Sequence, residues 1–433
     1  VLSLRDATVA FEGASQPALD RISLDIAPGS WTAVVGANGS GKSTLLGALA
    51  GLVPLQSGSL ERSDATRIAL LQQDADNQLL ATSVRNELEL SIPVEVAAGA
   101  RAARIEAAIE RFDLAHLLDR NPHRLSGGEK QRLACATVQL ETPDLLLLDE
   151  PLSFLDPDAR NRVIDFVRET NARGVAVVWA TPGDDAPLAR DVVCLDRGRM
   201  VDATSVATIA ASPAKPAKPR ELGQVAVSVE HASFAYDGRS VLDSIDLEVS
   251  SGECVGVVGR NGAGKSTLLA LMGGAVAPVS GRVVRAPRDG TGALYLPQSP
   301  ERMFFAETVR EEVAFGLKRV RRVARHASVD EIARASLHAV GLDAADMLER
   351  SPFQLSFGEM RRLAFAIVHA MAPALLLLDE PASCLDRAGR AVLAALVASR
   401  LDAGAAVVIA SHNPEHLRSL CDRVVVLEGG RVR

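Results

Sequence analysis

The sequence predicts two tandem α/β domains, each with a mainly parallel sheet and an inserted helical subdomain. Three observations carry this. The chain is written twice. Each copy opens on short strand patterns that pass through a glycine-rich turn into a helix. Apolar runs then alternate with helical stretches to the end of each copy. The stretch VVGANGSGKSTLL at 34–46 returns as VVGRNGAGKSTLL at 257–269, RLSGGEKQRLACA at 124–136 as QLSFGEMRRLAFA at 354–366, and LLLLDEPLSFLD at 145–156 as LLLLDEPASCLD at 375–386. Spacing strengthens the match: Ser126 to Asp149 and Ser356 to Asp379 are both 23 positions, and Asp149 to Pro182 and Asp379 to His412 are both 33. No gap is needed, so Pro182 stands in the place of His412.

A length of 433 residues exceeds one ordinary core and fits two or three domains. Apolar residues at 48% and charged residues at 23% are those of a soluble globular protein. A formal charge of -7 argues against bulk attraction to nucleic acid. Cys135, Cys194, Cys254, Cys384 and Cys421 form no CxxC pair, so neither a disulfide framework nor a zinc site is indicated, and buried thiols in a reducing cytosol are expected. No apolar run approaches the roughly 20 residues of a membrane helix. No secretory signal pattern is visible, and the start at Val1 points to a few missing leading residues.

Taken in order, ALDRISLDIAPGSWTAVVG and VLDSIDLEVSSGECVGVVG read as strands entering the glycine turn. In the helical insert of the first copy, Ile105, Ala108, Ile109 and Phe112 share one helical face. In the second, SVDE at 328–331 is a capping box that opens a similar helix. The LLLL runs at 145–148 and 375–378 suit buried strands. ASPAKPAKPRELGQ at 211–224 reads as an extended Pro/Ala/Lys linker, giving domains at 1–210 and 225–433.

The chemistry sits at the joins. Gly36, Asn38, Gly39, Gly41, Lys42, Ser43 and Thr44, and again Gly259, Asn261, Gly262, Gly264, Lys265, Ser266 and Thr267, fit a phosphate-binding loop between strand and helix. The glycines let backbone N–H groups wrap anionic oxygens at a helix N-terminus. The lysine reaches the β- and γ-phosphates, and the Ser43 or Ser266 hydroxyl can ligate Mg²⁺. Each leucine run delivers Asp149 or Asp379 to the metal. The neighbouring Glu150 or Glu380 can polarise the attacking water.

LSGGE at 125–129 completes a pattern that resembles the ATP-binding-cassette family over nearly the whole of both halves. The resemblance implies an antiparallel β subdomain beside each core. It also implies ATP and Mg²⁺ as ligands and head-to-tail pairing of the two cassettes of this one chain. Each ATP would meet the phosphate loop of one half and the signature of the other: Ser126, Gly127 and Gly128, or Ser356 and Gly358. Gln73 and Gln298 match the Q-loop glutamine that joins the metal site, Gln298 also entering the catalytic set. Phe11 and Tyr236 match the aromatic that stacks on adenine. His412 matches the switch histidine that helps position the attacking water, a task proline cannot take over. The second signature carries Phe357 where the first has Gly127, which is expected to restrict the backbone and add bulk near the phosphate. Under head-to-tail pairing Pro182 and Phe357 fall on one composite site. One hydrolytic site and one slow site are therefore expected.

The stretch QDADNQLLATSV at 73–84 resembles the ATPases of energy-coupling factor importers, with Asp76, Asn77 and Gln78 as the marker. The second copy has Met303 in place of Gln78. TVREEVAFG at 308–316 is similar to the same ATPases. This likeness implies a peripheral protein on the cytoplasmic face of the cell membrane, docked near its Q-loops on a transmembrane permease subunit. A separate membrane subunit would bind a vitamin or metal ion, and no nucleic-acid partner is expected. The alternatives are a soluble ribosome-associated tandem cassette and a fused-cassette sugar importer.

Overall fold

The computed structural model describes residues 2–11, 16–73, 75–152, 155–181, 188–202, 222–236, 238–286, 292–318, 328–383 and 385–433. Two compact units, Val1–Ala210 and Ala211–Arg433, divide the chain. Most of the Pro/Ala/Lys stretch lies outside the described residues, as do Pro182 and Cys384.

In the first unit β1 (Leu2–Val9), β2 (Leu19–Ile26) and β4 (Ser57–Arg62) form an antiparallel sheet in the order β2-β1-β4. In β2 the core-facing residues Leu19, Ile22, Leu24 and Ile26 are buried among more exposed ones, as in a sheet with one face covered. β3 (Trp31–Val35), β5 (Ile68–Leu71), β6 (Leu145–Asp149), β7 (Ala176–Thr181), β8 (Asp191–Asp196) and β9 (Arg199–Val201) form the second sheet in the order β5-β6-β7-β3-β8-β9. Its pairs are parallel except β8 with β9. The leucine run at 145–148 is a central strand whose residues are all buried, because elements pack on both faces.

The second unit repeats this plan. β10 (Val225–Tyr236), β11 (Arg239–Ser250) and β13 (Ser280–Arg285) make the antiparallel sheet. β12 (Cys254–Val258), β14 (Ala293–Leu296), β15 (Leu375–Asp379), β16 (Ala406–Ser411), β17 (Arg423–Glu428) and β18 (Arg431–Val432) run in the order β14-β15-β16-β12-β17-β18. Helical inserts lie between the sheet strands. Ala108 and Phe112 are fully buried in the first, with Ile105 and Ile109 packed against the same cluster. Ser328 caps the helix Val329–Ala339 in a capping box with Glu331, as its sequence predicts.

The two cores differ in detail. The rings of Trp31 and Trp179 stack with centroids 6.0 Å apart in the first unit. The corresponding residues of the second are Cys254 and Ile409, and the Cys254 Sγ lies 3.5 Å from the Cys421 Sγ. Cys135, Cys194, Cys254 and Cys421 are buried.

Glu141, at the end of the helix Gly127–Leu140, is half-buried, and burial pushes its carboxyl up to about 7. Met371 holds the same place in the second unit. An acid whose folded value lies above its ordinary 4.5 loses stability as pH rises from about 4.5 to 7. Glu141→Gln is therefore expected to stabilise the first unit by about 1–2 kcal/mol at pH 8, after allowing for solvent screening, and to change little at pH 4. Thermal melts at the two pH values check this; equal gains at both would assign the effect to packing.

Candidate functional site

Each phosphate loop joins the central strand β3 or β12 to a helix, Lys42–Ala50 or Lys265–Gly273. The backbone explains its glycines. Gly41 and Gly264 cap these helices at φ 102° and 101°, where a side chain is strained. A Cβ on Gly36 would lie 2.4 Å from the Leu195 carbonyl oxygen, and one on Gly259 2.5 Å from that of Leu427. Both lysines are buried and lean over their own loops. Lys42 Nζ donates to the carbonyls of Gly36 (2.9 Å) and Ala37 (3.0 Å), and Lys265 Nζ to those of Gly259 (2.8 Å) and Arg260 (3.2 Å).

Asp149 and Asp379 end β6 and β15 and are buried beside the loops. The Ser43 hydroxyl is hydrogen-bonded to Asp149 and that of Ser266 to Asp379. Burial raises the Asp149 carboxyl, with Ser43 and Lys42 opposing. Burial also raises Asp379. There Ser266 opposes, the charge of Glu380 adds, and Tyr295 and Lys265 oppose. Among the described residues no three His, Cys, Asp or Glu side chains cluster as a metal site. A serine hydroxyl beside one carboxylate nevertheless fits Mg²⁺ that takes its other ligands from phosphate and water. The Asp149 Oδ1, buried without a hydrogen-bond partner, is an oxygen such a cation or its water would satisfy.

Glu150 and Glu380 follow directly, buried, with left-handed φ of 47° and 46°. A non-glycine residue there carries strain of order 1 kcal/mol. The turn is pinned by Glu150 N–H donating to the Ala180 carbonyl (3.0 Å) and Glu380 N–H to that of Ala410 (2.9 Å). The Glu380 Oε1 accepts from the His412 main-chain N–H at 2.8 Å and lies 3.0 Å from His412 Nδ1; its Oε2 accepts from the Ser411 hydroxyl at 3.0 Å. Lys265 Nζ is 3.7 Å from Oε1. Burial alone would raise this carboxyl, but His412, Lys265 and Ser411 outweigh it and hold it below its ordinary value. The second unit thus brings together Lys265, Ser266, Asp379, Glu380 and His412.

Gln73 and Gln298 sit just beyond the carboxyl ends of β5 and β14, next to the strands that bear the aspartates. Phe11 and Tyr236 are half exposed, at 53% and 51%, near the ends of β1 and β10. Ser126 and Ser356 cap the helices Gly127–Leu140 and Phe357–Met371 with matching capping boxes to Glu129 and Glu359. Phe357, like Gly127, is the first residue of its helix.

The loop after the first Q-loop glutamine is tied internally. Lys130 Nζ donates to Asp76 Oδ2 at 2.7 Å, the Gln72 N–H donates to Gln78 Oε1 at 3.0 Å, and Gln78 Nε2 donates to the Leu70 carbonyl. Asp76 and Gln78 therefore shape this loop. What it displays is Leu80, 82% exposed, just before Ala81; the buried Glu87 carboxylate receives both their N–H groups, at 2.9 and 2.6 Å. The second unit repeats the latch: Glu312 receives the N–H groups of Phe305 (3.0 Å) and Ala306 (2.9 Å), and Phe305 is 58% exposed.

Sequence reasoning missed three residues: Ser411, which has a hydroxyl counterpart in Thr181; Arg361, whose counterpart is Gln131; and Tyr295, whose counterpart is Leu70. Comparing the repeats position by position would have marked the last two.

The family model described as "ABC transporter" matches residues 19–153 and 242–383. A protein of Methanosarcina mazei described as "Putative ABC transporter ATP-binding protein" is 30% identical over 475 residues, spanning 100% of this chain and 94% of that protein. One from Streptomyces coelicolor with a similar description is 29% identical, spanning 100% of this chain and 93% of its own length. Among solved structures, a chain in a model of ribosome-bound archaeal Pelota and ABCE1 superimposes with a TM-score of 0.74 at 22% identity, over 98% of this chain and 77% of that one. At that identity the likeness shows the tandem-cassette fold.

Proposed function

Because the chain belongs to the ABC transporter family and is an ATPase using ATP with Mg²⁺, we propose that it powers a membrane importer of the energy-coupling-factor type, with Leu80 and Phe305 as its docking points. The observation that carries this reading is the pair of matching latches. Two equivalent loops, each held by a buried glutamate, present an apolar side chain to solvent beside a Q-loop. Exposed apolar groups held on ordered backbone are what a partner's helix can bury. Vitamins or metal ions, bound by a separate membrane subunit, are the cargo this reading assigns. No described helix is long and apolar enough to cross a membrane. In this reading the span belongs to the partner, and the chain works from the cytoplasmic face.

In this reading the second unit hydrolyses ATP through Glu380, His412 and Gln298, and the first binds ATP and turns it over slowly. Affinity purification from detergent-solubilised membranes tests the docking. The wild-type chain is expected to bring down a multispanning protein, and Leu80→Asp with Phe305→Asp to lose it while still binding ATP. Recovery with ribosomal subunits in place of a membrane protein would overturn the proposal.

A further inference from the structure

We propose that Tyr295 is a positioning residue that fixes the metal-holding carboxylate of the second unit, a support that the first unit lacks. Tyr295 lies on the edge strand β14, paired in register with Leu377 of β15. Its hydroxyl reaches along the neighbouring strand to Asp379 Oδ2 at 3.1 Å. Ser266 bonds the same carboxylate from the phosphate-loop helix. Asp379 is thus held from two sides by two different elements. A carboxylate rotates freely about its last torsion unless its oxygens are bonded. Fixing it beforehand removes part of the ordering cost of metal binding.

The first unit shows the contrast. Its matching residue is Leu70, which pairs with Leu147 and has no hydroxyl. The Asp149 Oδ1 is buried with no hydrogen-bond partner. The exchange extends to a neighbour. A Cβ on Gly273 would come within 3.1 Å of Leu377 and 3.6 Å of the Tyr295 Cβ, whereas Ala50 takes the matching helix position in the first unit. The tyrosine and its adjacent glycine are found together in one copy, leucine and alanine in the other. The difference separates the two metal sites independently of His412 and Pro182.

The inference rests on Asp379 as the metal-holding carboxylate, and the test separates the two. Mn²⁺ is titrated by electron paramagnetic resonance into the full chain with a non-hydrolysable ATP analogue. Lys42→Ala isolates the second unit, and Lys265→Ala the first. In the Lys42→Ala background, Tyr295→Phe is expected to weaken Mn²⁺ about 5- to 10-fold, the worth of one typical hydrogen bond. Nucleotide affinity in EDTA should not change. In the Lys265→Ala background, Leu70→Tyr with Ala50→Gly is expected to tighten Mn²⁺ by a similar factor. If Asp379→Asn weakens Mn²⁺ while Tyr295→Phe leaves it within about twofold, the inference is overturned. If Asp379→Asn has no effect, the assignment of the metal site itself fails. Should Tyr295→Phe not fold, the first-unit exchange decides, and no tightening there overturns the proposal.

Discussion

Replacing Glu380 with glutamine is expected to lower ATP turnover about 10²–10⁴-fold, and Glu150→Gln by less than about threefold. The amide keeps the shape of the side chain and loses its ability to take a proton from water. The contrast follows from what surrounds each group. Glu380 is held by the His412 main-chain N–H, the His412 ring and the Ser411 hydroxyl, with Lys265 close by. In the first unit the histidine's place is taken by Pro182, which offers neither a side-chain donor nor an N–H. The same contacts set a pH signature. Their combined pull outweighs burial and keeps Glu380 ionised below its ordinary 4.5. Turnover should therefore show no loss from Glu380 protonation between pH 7 and about 5. Steady-state and single-turnover hydrolysis by the two variants give the answer; equal losses would refute the division of labour.

Arg361→Ala is expected to destabilise the second unit by about 3–5 kcal/mol and to loosen two active-site loops together. Arg361 is 2% exposed. Its Nη1 donates to the Ser383 carbonyl at 2.8 Å and, more weakly at 3.4 Å, to those of Glu380 and Pro381; its Nη2 donates to the Gln298 carbonyl at 2.6 Å. One guanidinium thus ties the Q-loop to the turn that carries the glutamate. Removing it leaves buried acceptors unpaired and opens a void. Gln131, in the same place in the first unit, bonds the Pro151 carbonyl at 3.2 Å. Arg361→Gln should accordingly be milder, about 1–2 kcal/mol. Thermal melts and amide exchange around Gln298 and Ser383 read both effects. An unchanged melt for Arg361→Ala would show that these contacts carry no stability.

Much of this was legible in the chain. The repeat fixed the number of units, and the leucine runs read as strands covered on both faces. The strand–glycine–helix order located the phosphate loops, and the equal spacings matched His412 to Pro182. Two things were not legible, each for a physical reason. The bond between Asp76 and Lys130 joins residues 54 positions apart in sequence. Tyr295 and Arg361 act through contacts between separate elements that no local pattern encodes.

The tryptophan pair bears on how two lobes of the same strand order mature on one polypeptide. Tandem copies with the same strand order invite exchange, in which a strand from one copy completes the sheet of the other. Were β3 to settle between β16 and β17, the Trp31 indole would meet a space shaped for the Cys254 thiol; the reverse exchange would leave Trp179 facing a hole. Overfilling costs about 1–3 kcal/mol and a vacated indole site about 3–5 kcal/mol. Such mismatched interiors would disfavour an exchange of strands between the two copies.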